Sequence, residues 1–327
     1  MSERETSILL TGGAGYVGAA TADALIADGH RVVILDDLSS GHADTIPNEA
    51  SFKTGSYGEA DKIEELLRDA RIDVIVHCGA KSIVSESDEH PDRYFANNVQ
   101  ASLNLLDAAC NVGVKRLVFS SSAAVYGAPT ASTISEATPL NPVNTYGATK
   151  VAFELALRSY AEAHEMQSVS LRYFNVAGST ERVRERHDPE THLLPRLIRA
   201  AESGEPFFIY GNDYATPDGS ALRDYVHVAD VAAANLAAVN YLLRDGAPVG
   251  HNAVNIGSGV GTSVKQAISA VERATKRTVN VEVQSRRAGD PPRLIADITR
   301  AVALLNWRPR QSETTRIIRS LIGGPSA

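Results

Sequence analysis

Tyr146 and Lys150 stand four residues apart in the segment YGATK. On a helix that spacing puts the lysine one turn from the tyrosine on the same face. A nearby ammonium favours the phenolate, which otherwise forms only near pH ~10. Such a pair can take or return a hydroxyl proton near neutrality. Tyr-x-x-x-Lys also occurs on the surface of ordinary helices, so its meaning depends on what surrounds it. Here a glycine turn at Gly12, Gly15 and Gly18 precedes it, and the serines Ser120, Ser121 and Ser122 come just before. Arg223 and Arg287, side chains suited to bidentate phosphate binding, follow.

The glycine turn lies between an apolar stretch at 7–11 (SILLT) and a helical pattern at 16–28. The latter has Val17, Ala20, Ala24 and Leu25 on one face and Gly29 as its C-terminal cap. RVVILD at 31–36 reads as the next strand and ends in Asp36. Strand, glycine turn, helix, strand and carboxylate form the context of a dinucleotide fingerprint. Gly12 allows the tight turn, Gly15 lets backbone amides approach a pyrophosphate, and Gly18 lets helix and strand pack closely. The phosphates belong on the positive end of the helix. Asp36 can accept hydrogen bonds from an adenosine ribose and would repel a 2′-phosphate, so NAD is expected rather than NADP.

Further strand candidates occur at 52–54, 73–78 (DVIVHC), 116–120 (RLVFS) and 169–171, separated by helical patterns at 60–70, 93–111 and 144–164. The alternation predicts an α/β fold, a Rossmann-type doubly wound parallel sheet with helices on both faces. Ligands should gather at the strands' C-terminal ends, which carry Gly79, Ala80, the three serines, Tyr173, Phe174 and Asn175. After about Gly178 the composition shifts to a charged, turn-rich stretch at 181–191. A helix at 193–203, a strand at 207–210 and a loop at 211–218 follow, and from Arg223 the chain reads as mixed strand and helix, including 228–243 and 263–275. The expected division is a nucleotide-binding domain over 1–178, to which some later segments return, and a smaller mixed α/β substrate domain over 179–327.

The 327 residues are 43% hydrophobic and 22% charged, with net charge −7. This balance speaks against a broad electrostatic grip on nucleic acid or an anionic membrane. An anionic ligand must be held by local arginines and helix N-termini. Cys78 and Cys110 read as small core residues, and no apolar run suits a signal peptide or membrane span, so a cytoplasmic protein is expected. Nine histidines occur without H-E-x-x-H or paired C-x-x-C, so no catalytic metal is expected, and His187–Asp188 reads as a solvated loop pair.

The spacing G-x-x-G-x-x-G resembles the extended short-chain dehydrogenase/reductases. Six segments carry the likeness further: TGGAGYVG (11–18), SSSAAVYG (120–127), YGATK (146–150), LRYFNVAG (171–178), YGNDYATPDGSALRDYVHV (210–228) and RRAGDPPRL (286–294). Together they resemble the UDP-glucose 4-epimerases over nearly the whole chain. That resemblance implies a tightly held NAD that takes a hydride from sugar C4 and returns it to the opposite face. Tyr146 would be the base on the 4-hydroxyl, Lys150 would lower its pKa and bind the nicotinamide ribose, and Ser122 would hydrogen-bond the 4-oxygen. Oxidising an alcohol needs a proton acceptor on oxygen and a hydride acceptor on carbon, which fits these roles. The keto sugar must then turn over, so binding should concentrate on the UDP.

By the same resemblance, NAD would be bound by Gly12, Gly15, Tyr16, Val17, Gly18, Asp36, Asp37, Ser56, Tyr57, Gly79, Ala80, Asn98, Ser120, Tyr146, Lys150 and Tyr173. The UDP-sugar, UDP-glucose or UDP-galactose, would be bound by Ser122, Tyr146, Asn175, His192, Leu193, Tyr210, Arg223, Arg287 and Asp290. Arg223 and Arg287 would pair with the diphosphate, Tyr210 would pack beside the uracil, and the helices at 97–111 and 144–164 would form a homodimer bundle.

Three positions depart from the family pattern. Ser56 stands where an aspartate usually contacts adenine, Ala124 replaces a threonine found in many members, and Lys81-Ser82 is shuffled. Leu294 falls where bulk excludes N-acetylhexosamines. A 4,6-dehydratase would need an acid and a base where this chain has Ala123 and Ala124. A net dehydrogenase would differ by releasing NADH, and a silent NAD-binding protein by lacking turnover.

Overall fold

Apolar runs bounded by turn residues supply the central sheet. The computed structural model describes residues 5–186, 190–287 and 290–323. In chain order the first half comprises β1 (Ser7–Thr11), α1 (Tyr16–Ala27), β2 (Arg31–Asp36), β3 (Ser51–Thr54), α2 (Ala60–Asp69) and β4 (Val74–His77). Then come α3 (Val84–Glu89), α4 (Pro91–Phe95), α5 (Ala101–Val112), β5 (Arg116–Ser122), α6 (Thr145–His164) and β6 (Gln167–Tyr173). The second half comprises β7 (Asn175–Ala177), α7 (Leu193–Ser203), β8 (Phe207–Tyr210), β9 (Leu222–His227), α8 (Val228–Leu243) and β10 (Gly250–Ile256). It ends with β11 (Gly261–Ser263), α9 (Val264–Thr275), β12 (Val281–Gln284), β13 (Arg293–Leu294), α10 (Thr299–Leu305) and α11 (Thr314–Gly323).

Seven parallel strands form the main sheet in the order β10-β6-β5-β4-β1-β2-β3. The order reverses direction at β1, which places a crevice at the carboxyl ends of β1 and β4. Side chains alternate between two cores, as strand periodicity demands. Ile8, Leu10, Val74, Val76 and Val118 join α8 residues such as Val231, Ala234 and Ala238 on one face. On the other, Leu9, Ile75, Leu117 and Phe119 join Ile63, Leu105, Phe153 and Leu157 from α2, α5 and α6. The doubly wound α/β sheet is therefore as the alternation predicts.

The six expected strands are all present, and β10 adds a seventh from beyond residue 178. Its sequence GHNAVNI is hard to read as a strand because it forms the sheet edge, with only Val254, Asn255 and Ile256 buried. The helical pattern at 93–111 is not one regular helix. It passes through α4, a π-helical turn at Ala96–Gln100 and α5, and that turn directs Asn98 into the interior. A second layer contains β9 with β7, β11 and β13, and the pair β8–β12. It packs around Leu194, Leu197, Ile209, Ala267, Val271 and Ile317. Among the described residues, no helix is long and apolar enough to cross a membrane. His187–Asp188 and Ala288–Gly289 lie outside the described residues.

Two of the turn's glycines are required by space. Gly12 has φ +69°, and a Cβ there would lie 2.5 Å from the Gly79 nitrogen. A Cβ on Gly18 would lie 2.0 Å from the Gly12 carbonyl oxygen, while one on Gly15 would meet that oxygen at an ordinary 3.4 Å. Gly18→Ala should accordingly destabilise the fold by ~2–3 kcal/mol or more through overpacking against backbone. Thermal unfolding should register this as a Tm drop of ~4 °C or more, with Gly15→Ala within ~1 °C of the parent. Equal Tm values for both variants would contradict the packing described.

Candidate active site

At the nucleotide end, the Gly12 N–H donates to the Leu35 carbonyl at 2.9 Å, binding the turn to β2. Asp36 is buried, and its carboxylate accepts the N–H groups of Ala14 (3.0 Å) and Leu38 (2.8 Å). Burial raises its pKa and these two amides oppose the rise. Gly15 is the N-cap of α1 and no side chain caps that end. A helix terminus open to an anion beside a fixed carboxylate fits the pyrophosphate and ribose of a dinucleotide. The Tyr16 hydroxyl donates to the Gly178 carbonyl at 2.5 Å, so its ring ties α1 to the chain after β7. Asp37 is exposed and accepts the Ser39 N–H at 2.9 Å.

Ser56 takes part in its own turn, accepting the Gly58 N–H at 3.1 Å and keeping a hydroxyl proton to donate. Tyr57 donates to the Asn97 carbonyl at 3.0 Å and closes over Gly79, where a Cβ would lie 2.6 Å from its ring. Ala80 is half-buried beside Gly79. Asn98 bonds the Lys81 N–H (2.8 Å), the Lys81 carbonyl (2.9 Å) and the Thr149 hydroxyl (3.2 Å). It therefore fastens the loop after β4 to α6.

The reactive groups meet where α6 starts over the end of β5. Asn144 caps the helix, accepting the Gly147 N–H at 2.8 Å, and a Cβ on Gly147 would lie 2.6 Å from the Ala124 carbonyl. Ser87 and Asp88 of α3 accept the N–H groups of Tyr146 (3.1 Å) and Thr145 (2.8 Å). Nothing in the spacing identifies this second clamp, because α3 is nearly sixty residues away in the chain. The Lys150 ammonium donates to the Ser120 carbonyl at 2.8 Å and lies 5.5 Å from the Tyr146 ring centre. Ser122 stands beside the Tyr146 side chain and accepts the Ala124 N–H at 3.1 Å. Ser120 and Tyr173 share a hydrogen bond of 3.1 Å, and Tyr173 donates to Asn235 at 2.9 Å.

The electrostatics differ from the simple tyrosine–lysine picture. Burial pushes Tyr146 up to about 12, with the Ser122 hydrogen bond opposing. Burial also pushes Lys150 down to about 8, opposed by Cys78 and Glu154. Burial sets the direction at Tyr146, opposite to the lowering that a neighbouring ammonium would produce.

The residues expected at the sugar nucleotide gather on the second layer. Tyr173 pairs in register with Ser122, and two residues later Asn175 pairs with Tyr225 of β9 and donates to the Asp224 carbonyl at 3.0 Å. Arg223 of β9 is ion-paired with Asp290, which also accepts the Tyr214 hydroxyl at 3.2 Å. The Arg287 guanidinium lies 4.0 Å from the Tyr210 ring centre. Both arginines connect to Asp290, Arg223 through its ion pair and Arg287 through its carbonyl, which accepts the Asp290 N–H at 3.3 Å, and each side chain already has a partner. His192 stands 3.0 Å from Glu185 and 2.9 Å from Glu190, and those carboxylates raise it to about 10 against the opposing effect of burial. This three-residue group, with ligand atoms within 4.8 Å of one another, behaves as an ion pair around a protonated imidazole. Leu193 opens α7 and packs on the second-layer core.

Residues 8–257 match the NAD dependent epimerase/dehydratase family. A UDP-glucose 4-epimerase of Corynebacterium glutamicum is 42% identical over 312 residues, spanning 95% of this chain and 93% of its own. The crystal structure of UDP-glucose 4-epimerase from Brucella ovis in complex with NAD has a TM-score of 0.92 at 39% identity, over 96% of this chain and 97% of that one. The enzyme from Bifidobacterium longum in complex with NAD+ and UDP has a TM-score of 0.88 at 30% identity, over 97% of both chains. Family model, relatives and fold agree: the chain belongs to the NAD dependent epimerase/dehydratase family, among the UDP-glucose 4-epimerases.

Proposed function

We propose that this chain interconverts UDP-galactose and UDP-glucose by reversible oxidation at sugar C4, with NAD retained through the cycle. The observation that carries the reading is the meeting of Ser122, Tyr146 and Lys150 at the carboxyl end of β5, beside the β1 glycine turn. The amides at the start of α1 and the Asp36 carboxylate would hold the dinucleotide, which would supply a hydride acceptor and a positive ring charge. Tyr146 takes the 4-hydroxyl proton and later returns it. Ser122, beside Tyr146, orients that oxygen. Lys150, fixed by the Ser120 carbonyl, adds positive charge that favours phenolate. Added positive charge in the complex works against the desolvation that holds Tyr146 near 12.

The UDP is the anchor on which the sugar turns. Arg223 and Arg287 exchange Asp290 and the Tyr210 face for the diphosphate, each charge-assisted pair contributing roughly 1.5–3 kcal/mol. Tyr210 then packs beside the uracil, and Asn175, His192, Leu193 and Asp290 surround the nucleotide. Leu294 is half-buried against the cluster of Val125, Phe174 and Ala123 and narrows the sugar space, favouring hexoses without an N-acetyl group. Ala123 and Ala124 cannot move a proton, which disfavours dehydration.

The nucleotide-binding unit comprises residues 1–178, joined by the returning α8 and β10, and the substrate unit takes most of the remainder. Leu155 of α6, exposed by 52%, and Phe95 at the end of α4, which leads into α5, exposed by 44%, support a homodimer through the α5 and α6 side. The free thiols Cys78 and Cys110 support a cytoplasmic setting.

Purified protein given UDP-galactose without added NAD should yield a UDP-galactose/UDP-glucose mixture by NMR of the anomeric protons, with no net NADH absorbance. Tyr146→Phe should lower kcat by ~100-fold or more while sparing UDP binding. Turnover only after NAD addition would trace to weak cofactor retention at Ser56, and no turnover in either case would contradict the function.

Lys150 gives a separate check in ligand-free protein. Its folded pKa of about 8 lies below the ordinary 10.5, so the unfolded chain binds more protons between those values. Parent stability should therefore rise relative to Lys150→Met as pH goes from 8 to 10.5, measured by urea unfolding. A constant difference across that window would contradict the buried-lysine assignment.

A further inference from the structure

Two of the three serines ending β5 are held by residues of α6. Lys150 donates to the Ser120 carbonyl at 2.8 Å and the Ser121 hydroxyl donates to the Glu154 carboxylate at 2.5 Å, while Ser122 stands beside the Tyr146 side chain. Tyr146, Lys150 and Glu154 are spaced four residues apart and so follow one stripe of the helix. Glu154 is also one half of a buried ion pair: Arg172 of β6 meets it at 2.5 Å and 3.0 Å, with side chains 3% and 4% exposed. From there the bonds continue. Arg172 donates to the Tyr126 hydroxyl at 2.8 Å, and Tyr126 donates to Asn255 of β10 at 2.6 Å. Asn255 in turn donates its N–H to Glu136 at 2.7 Å.

One network therefore grips the chain on both sides of Ser122. Ser121 is tied directly to Glu154, and Tyr126, which ends the 3₁₀ turn Ala123–Tyr126, is tied to Arg172. Burying such a pair brings little net stability over apolar side chains of similar volume, whereas its directional bonds specify geometry. We propose that Glu154, acting with Arg172, is a positioning residue for the proton transfer: it keeps Ser122 in register with Tyr146 and Lys150. This rests on the catalytic reading given above. Neither residue touches the reacting atoms; both act through the end of β5 and through Lys150.

The charge of Glu154 matters as well as its bonds. Around Lys150 stand Tyr146 and Glu154 on its own helix, Cys78 and His77 at the end of β4, and the Phe119 ring and Ser120 carbonyl on β5. Glu154 and Cys78 favour the ammonium, and burial opposes it. Without the carboxylate, Lys150 would lose its proton at lower pH and the unpaired Arg172 would push it further the same way.

The test compares Ser121→Ala, which removes one bond and no charge, with Glu154→Gln and the conservative Glu154→Asp, using UDP-galactose turnover. Ser121→Ala should lower kcat about tenfold with KM changed less than about twofold and Tm nearly unchanged. Glu154→Gln should lower kcat about 100-fold and move the alkaline limb of the kcat profile to lower pH, while Glu154→Asp restores the limb. Should Glu154→Gln fail to fold, Ser121→Ala decides. Parent-like kcat and limb in the folded variants, or losses that track Tm alone, would overturn the positioning role. An inactive parent protein would instead sink the catalytic reading beneath it.

Discussion

Lys150 carries an ammonium into the interior, 3% exposed, where the Ser120 carbonyl at 2.8 Å is its hydrogen-bond partner. Taking a charge out of water is costly, and the chain offsets that cost with fixed dipoles and distant charges rather than with a paired carboxylate in contact. The end of β5 must therefore be held where its carbonyl meets the lysine. Parallel pairing of β5 with β4 and β6 does part of this. The Asn144 cap, the Ser87 and Asp88 clamp and the close approach of Gly147 to Ala124 hold α6 from the other side. A strand, a helix start and a buried charge are mutually fixed, and Tyr146 and Ser122 take their places from that arrangement.

The second layer solves the opposite problem. A sugar that must present both faces in turn cannot be gripped tightly, so recognition moves to the nucleotide. Arg223 and Arg287 are far from Tyr146 and Ser122 in sequence; Arg223 is joined to that region through β7, whose start pairs with β9, and through Leu294, which pairs in register with Arg223 and packs in the cluster of Ala123 and Val125. Arg223 is paired with Asp290, and the Arg287 guanidinium lies over the Tyr210 ring.

Much of this was legible in the residues because it follows from local rules. The glycine turn, the alternation of strands and helices and the capped start of α6 each depend on neighbours in sequence. What escaped has long-range causes. The edge strand β10 lacks a two-sided apolar pattern, and the π-helical turn that buries Asn98 has no spacing signature in a run that reads as regular helix. The pKa of Tyr146 escaped for another reason: spacing reports which charge is near, whereas desolvation depends on everything packed around it. The Arg223–Asp290 pair spans 67 residues and the Glu154–Arg172 pair joins a helix to a neighbouring strand. Neither leaves a trace in local pattern.

The central claim is that one site removes the C4 hydrogen as hydride and returns the same hydrogen to the other face. UDP-galactose deuterated at C4 tests it directly, with product analysed by NMR and mass spectrometry in ordinary water. The account predicts UDP-glucose that keeps its deuterium at C4, with no deuterium released to solvent. Product that has lost the label to water, or label appearing in free reduced cofactor, would contradict it.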